Sequence, residues 1–298
     1  MKALQFSEYG GPEVLRVAAA PDPHAGPGQV RVRVKAASVN AIDSKILTGK
    51  LAQNSSLDGP RYLGYDAAGV VDEVGEGVTD VAVGDDVFGL GSGTQAELAV
   101  LGSFARKPSS IDWSVAAAAG VAAETSIRAL DLVGVGSGTT LLIDGGAGGV
   151  GAAAVQIAQA RGATVIASAS EGNQDYLREI GAIPVVYGPG LAERVRELAP
   201  QGLDAVFDVV GKTDITELVG LVDKPSQVVT IANFATGDAG VQVTTAVQDG
   251  NAALAETARL LERNDLVIKF QTFPLERAAE AYAISIGGHL RGKLVLLP

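Results

Sequence analysis

The chain has 298 residues, 47% of them apolar and 19% charged, enough for one large core or two ordinary ones. Acids outnumber bases 34 to 23, and the resulting charge of −11 repels phosphate backbones, which argues against nucleic acid as a partner. There is no cysteine, and the 2 histidines, His24 and His289, are the whole imidazole supply. Thiol catalysis and cysteine-ligated zinc are thereby removed, and Ser–His–Asp hydrolysis nearly so.

The first residues reach Glu8 before any long apolar run, so no signal peptide is expected. Met1–Phe6 reads as a strand. Val30-Arg31-Val32-Arg33-Val34 alternates strictly and places the valines on one face and the cations on the other. Ala67–Val74 and Asp86–Gly89 read as further strands, separated by Gly10-Gly11-Pro12, Gly26-Pro27-Gly28 and Gly75–Gly77. Breaks at this spacing predict a small, irregular β-barrel. Helix formers take over at Trp113–Leu132, where the apolar stretch Val115–Ala123 is about half of a membrane span. Neither a membrane partner nor an export route is expected, and a cytoplasmic location is the expectation.

Strands and helices alternate from there. Thr139–Asp144, Thr164–Ala167, Ile183–Tyr187, Ala205–Val209 and Gln227–Ile231 read as strands. Between them, Val150–Arg161, Gln174–Ile180, Leu191–Ala199 and Ile215–Val222 read as helices. Such alternation specifies a parallel, doubly wound sheet, an α/β fold. Asn251 is placed to cap a last amphipathic helix carrying Leu254, Ala258 and Leu261, and Leu290–Leu297 reads as a strand returning to the first domain.

The sharpest local signal is Gly145-Gly146-Ala147-Gly148-Gly149-Val150-Gly151, a G-x-G-x-x-G pattern between a strand and a helix. Its first glycine permits the turn, the second a close approach to a pyrophosphate, and the third tight helix–strand packing. Dinucleotide binding follows. About 20 residues on, where an NAD site carries a carboxylate for the ribose, the chain reads Ser168-Ala169-Ser170 with no acid before Glu171. Hydroxyls there suit the 2′-phosphate of NADP(H), although serines also serve as plain turn formers. Asn233 follows a strand end on the same side.

Several segments together resemble one family: Gly11-Pro12-Glu13-Val14-Leu15, Ala36-Ala37-Ser38-Val39-Asn40-Ala41-Ile42-Asp43, Gly64-Tyr65-Asp66-Ala67-Ala68-Gly69-Val70-Val71 and Gly84-Asp85-Asp86-Val87-Phe88-Gly89. Ala122-Ala123-Glu124-Thr125, the glycine loop and Gly288-His289-Leu290-Arg291-Gly292-Lys293 complete the set. The chain resembles the zinc-independent quinone oxidoreductases, the zeta-crystallin-like branch of the medium-chain dehydrogenase/reductase superfamily. The resemblance implies a GroES-like β-barrel catalytic domain, residues 1–115 and 266–298, and a Rossmann NADP-binding domain, residues 116–265. In zinc-dependent relatives a cysteine ligand stands where this chain has Asn40 and a histidine ligand where it has Tyr65. The region of their four-cysteine lobe is closed here by Gly89–Thr94. No metal is therefore expected.

What the resemblance implies is hydride transfer from NADPH to quinones or α,β-unsaturated carbonyls, small molecules whose developing anion is delocalised. Asn40 would orient a substrate carbonyl or the nicotinamide ribose, unless it serves only its own loop. Tyr65 is a proton donor or an aromatic wall in the space of the absent metal. Tyrosines that many relatives carry after the asparagine segment stand here as Lys45 and Leu51; Lys45 either stabilises substrate charge or is a surface lysine. Asp43 holds local structure or a ribose hydroxyl. Thr125 and Tyr187 match cofactor-contacting positions, and Arg291 reaches cofactor or substrate unless it is a surface cation. His24 is expected to be exposed and inert, and His289 structural. A homodimer is the family expectation. Two other functions fit the same residues: an enoyl-thioester reductase in a biosynthetic pathway, and a non-catalytic NADPH-binding sensor.

Overall fold

The computed structural model describes residues 1–52, 56–288 and 290–298; His289 lies outside them. The chain opens with β1 (Lys2–Phe6), β2 (Arg16–Ala19), β3 (Val30–Val39) and a short α1 (Ala41–Leu47). It continues with β4 (Arg61–Tyr62), β5 (Asp66–Val74), β6 (Asp86–Gly91), β7 (Leu98–Arg106) and the long α2 (Trp113–Leu132). The alternating middle runs β8 (Thr140–Asp144), α3 (Gly149–Ala160), β9 (Thr164–Ala169), α4 (Gln174–Glu179), β10 (Ile183–Val186), α5 (Leu191–Leu198), β11 (Ala205–Asp208), α6 (Ile215–Val219), β12 (Val228–Thr230) and β13 (Gln242–Val243). The last elements are α7 (Gly250–Glu262), β14 (Phe270–Pro274), α8 (Ala278–Gly287) and β15 (Lys293–Leu297).

Two compact units result. The first comprises Met1–Val121, Gly250–Glu262 and Ile268–Pro298, the second Ala122–Asp249 and Arg263–Val267. α7 packs on β7 and β6 in the first unit, whereas the division at residues 265 and 266 expected from the sequence assigns it to the nucleotide-binding half. Its Leu254 and Ala258 join Phe88 and Val295 in an apolar cluster. Asn251 is not the cap of this helix, which already starts at Gly250. Its Oδ1 instead accepts the Phe104 N–H of β7 at 2.9 Å, an orphan the sheet leaves open.

In the first unit one sheet has the order β14-β15-β3-β5-β6-β7, and β7 pairs back onto β3. That closure pairs β7 instead of leaving it as an edge, keeps β14 as the outer strand, and gives the irregular barrel. Val30, Val32 and Val34 of β3 point into a core with Val71, Val87 and Leu101, while Arg33 and Lys35 face solvent. The returning strand β15 inserts antiparallel beside β3. The second unit is built on an all-parallel sheet, β10-β9-β8-β11-β12-β13. Leu141–Ile143 and Val165–Ala167 are fully buried, as strands covered on both faces must be. Strand order reverses between β8 and β11, which opens a crevice at their carboxyl ends. Among the described residues, no helix is long and apolar enough to cross a membrane.

Candidate functional site

In the second unit the glycine loop follows β8 at the reversal point. Gly148 takes extended backbone angles at the N-cap of α3, and no side chain caps that helix. Its first N–H groups are thus left for an anion. A Cβ on Gly146 would come within 2.7 Å of Ala167 Cβ, and one on Gly151 within 2.1 Å of the Gly145 carbonyl. At Gly148 the nearest protein atom to such a Cβ is 3.8 Å away. Two glycines are therefore required by packing and the third leaves open space in front of bare amides. This cradle, completed by Ala147, Gly149 and Val150, fits the pyrophosphate of a dinucleotide.

The serines separate in role. Ser168 is fully buried; its hydroxyl donates to Asp144 Oδ1 and accepts the Gly145 N–H at 3.0 Å. Asp144 also accepts Thr213 Oγ1 at 2.6 Å, and burial raises its pKa against these two hydroxyls. Ser168 braces the glycine loop from below and has no free hydroxyl for a phosphate. Ser170, one residue past β9, is half-buried and accepts Asn173 Nδ2 at 3.1 Å. Tyr187 follows β10 with 55% of its surface exposed. Asn233 follows β12; its N–H donates to Thr230 Oγ1 at 3.0 Å and its Oδ1 accepts from Ala235 N–H at 3.2 Å. Thr230 in turn donates to Asp208 at 2.7 Å. Asp144, Asp208 and Thr230 tie the strand ends together, and none of them carries a sequence motif of its own. Thr125 is buried on α2, its hydroxyl 3.4 Å from Glu124 Oε2, and Glu124 pairs with Arg128 at 2.8 Å.

The first unit holds a buried polar cluster around Asn40. Strand register explains it: Leu294 lies opposite Val39 and Ala67 opposite Ala37, so the next residues, Lys293, Asn40, Ser38 and Asp66, converge at the ends of β15, β3 and β5. Asn40 Nδ2 donates to Asp66 Oδ1 at 2.9 Å and to Ser38 Oγ at 3.3 Å, and Lys293 Nζ donates to Asn40 Oδ1. Ser38 Oγ and the Val121 N–H complete Asp66 at 2.6 and 2.8 Å. The Asn40 N–H donates to Asp43 Oδ2 at 2.8 Å, the side-chain half of a capping box on α1, and Gly64 N–H donates to Asp43 Oδ1 at 2.9 Å. Burial nevertheless pushes the Asp43 carboxyl from 3.8 up to about 7. Burial likewise pulls Lys293 down, against the pull of Asp66 and Asp43. Tyr282 donates to Gln95 Oε1 at 2.9 Å, and burial followed by the nearby Asp43 holds its phenol well above the usual range.

Tyr65 precedes Asp66, is 37% exposed, and has its pKa raised by burial and then by Asp43. Lys45 lies half-buried on α1, and Arg291 and His24 are exposed, the latter 3.2 Å from Glu73. Asp66 and Lys293, the two partners that define Asn40, escaped the sequence reading except as letters in family-like segments. Among the described residues, no group of three or more His, Cys, Asp or Glu is placed to hold a metal.

Two family models match the chain. That of the alcohol dehydrogenase GroES-like domain covers residues 26–127 and that of the zinc-binding dehydrogenases residues 149–263. An NADPH-dependent alkenal/one oxidoreductase from Arabidopsis thaliana chloroplasts is 32% identical over 100% of this chain and 80% of its own. The quinone oxidoreductase structure from Coxiella burnetii superposes with a TM-score of 0.86 at 29% identity, covering 100% of this chain and 99% of that one. A mycobacterial structure complexed with NADPH gives 0.87 at 27% identity, covering both chains completely at 100%.

Proposed function

Because the chain belongs to the quinone oxidoreductase branch of the medium-chain dehydrogenase/reductase superfamily, we propose that it reduces quinones or α,β-unsaturated carbonyls without a metal. The protein is an NADPH-dependent oxidoreductase. The observation that carries the reading is the glycine cradle: uncapped amides of α3 faced by the open space at Gly148. Gly146 to Gly151 would hold the pyrophosphate, with Ser170 and Tyr187 toward the adenosine side and Thr125 and Asn233 toward the nicotinamide side. Bound there, NADPH supplies the hydride.

The remaining work belongs to the chain's own groups. Hydride addition to an enone or quinone leaves an oxyanion, and one proton must follow to give the saturated carbonyl or hydroquinone. We assign that proton to the Tyr65 phenol, kept protonated at neutral pH by its raised pKa and exposed enough to be refilled from water. Asn40 positions the ligand, and Lys45 and Arg291 add positive charge. Zinc independence is supported by the donors present: the Asn40 amide nitrogen is committed to Asp66 and Ser38, and the Lys293 ammonium beside its oxygen repels a second cation. A homodimer in the cytoplasm belongs to the same reading and rests on family habit.

The test is NADPH oxidation with a simple quinone and a short-chain enone, alongside titrations with NADPH and NADH and metal analysis of the same sample. Turnover in metal-free protein is expected; NADPH binding without turnover would instead leave a cofactor-sensing protein.

A further inference from the structure

Lys293 is an unusual residue to find with 5% of its surface exposed. The chain goes out of its way to place it. Gly292 adopts φ +80°, and a Cβ there would lie 2.1 Å from the Lys269 carbonyl, so the residue before the lysine can hardly be anything but glycine. That turn starts β15 with the Lys293 side chain in the core and its N–H on Lys269 O at 2.9 Å.

The chemistry of the partners then fixes one amide. An ammonium has three donors and no acceptor, so the oxygen of the Asn40 carboxamide must face Lys293. The other side faces Asp66, whose Oδ1 already receives Ser38 Oγ and accepts Nδ2. Both Nδ2 hydrogens are used, on Asp66 and Ser38, while Oδ1 has two lone pairs and Lys293 takes one.

We propose that Lys293 is a positioning residue: its buried ammonium fixes the polarity of the Asn40 carboxamide, so that what Asn40 offers a ligand is the second lone pair of Oδ1. Asn40 then accepts from a hydroxyl and does not donate to a carbonyl. This rests on the reading that Asn40 meets the ligand. Asp66 has a secondary part in it, since its charge helps keep the ammonium tolerable at this depth.

The experiment is steady-state turnover of NADPH with an enone in Lys293→Met, Lys293→Gln, Asn40→Ala and the Asn40→Ala/Lys293→Met double variant, each checked by thermal melting. Lys293→Met is expected to lower kcat/KM about tenfold, as a misplaced positioning group does. Lys293→Gln, which keeps an N–H donor toward Oδ1, is expected to stay within about threefold of the unmodified protein. In the Asn40→Ala background Lys293→Met costs nothing further, because it has lost the group it acts through. Multiplicative losses in the double variant would overturn the proposal, as would equal losses in Met and Gln. If Met does not fold, the Gln variant decides by the same threshold. If neither folds, the lysine is purely structural and the proposal falls. Full turnover in Asn40→Ala would sink the underlying reading of Asn40 and take the proposal with it.

Discussion

Ser168 and Asp144, register partners on neighbouring parallel strands, share a buried hydrogen bond that commits the serine hydroxyl to the protein. The same hydroxyl accepts the amide of Gly145, so the first residue of the glycine loop is braced by the strand beside it. On the proposed reading, discrimination of the 2′-phosphate then falls to Ser170, two residues on and outside β9.

Ser168→Ala is expected to lower stability by about 1–3 kcal/mol, because it leaves the buried Asp144 carboxyl with Thr213 alone. Its effect on NADPH affinity is small once folded. Ser170→Asp should do the reverse, leaving the melting temperature alone and weakening NADPH about tenfold or more relative to NADH. Calorimetric titration with both nucleotides and a thermal melt separate the two serines; equal behaviour would contradict the division.

The second and third glycines of the pattern behave differently as well. Gly148→Ala adds a methyl where the nearest protein atom is 3.8 Å away, so the fold tolerates it while the pyrophosphate loses its place. Gly151→Ala puts one 2.1 Å from the Gly145 carbonyl and costs about 1–3 kcal/mol of stability. Denaturant melts with and without NADPH give the comparison: ligand stabilisation is lost for Gly148→Ala, whereas basal stability falls for Gly151→Ala.

Asp43 makes stability depend on pH in a definite direction. Its folded-state pKa, about 7, lies above the ordinary 3.8, so the native state binds the extra proton. The stability this contributes is present below about pH 4 and lost as pH rises to about 7, a change on the order of 4 kcal/mol. Asp43→Asn should flatten that slope. It should also cost about 1–3 kcal/mol at low pH, because an amide cannot accept the N–H groups of both Asn40 and Gly64. Urea titrations of both proteins across this range would show parallel curves if Asp43 were not the cause.

Tyr65→Phe removes the proposed proton donor from a partly exposed side chain and should leave the melting temperature unchanged. The expected loss in kcat is about tenfold to a hundredfold, with KM for the enone less affected. A kcat within a factor of about two of the parent would move protonation to water.

The glycine loop and the strand–helix alternation were legible because each is written in consecutive residues. Ser168 was not, since a serine inside a doubly covered strand looks the same whether its hydroxyl meets a ligand or a neighbouring acid. Asn251 reads as a cap for the same reason: only the presence of β7 shows that its oxygen goes to Phe104. Asn40 was legible through its family-like segment, but its partners come from β5 and β15, and nothing local links position 40 to position 293. The short elements α1, β2 and β14 have too few residues for a period to show, and are fixed by pairing and packing.

β15 lies between β14 and β3, within the first unit's sheet and not at its edge. During synthesis that unit therefore waits. Residues 122–249 carry the whole parallel sheet and are free to fold while the barrel strands made before them still lack a neighbour for β3. Only when residues 293–297 leave the ribosome can the Ala37–Val39 end of β3 gain its β15 partner and Lys293 reach Asn40. A nascent chain stopped shortly before that point should already bind the nucleotide yet remain open to proteases in its first hundred or so residues.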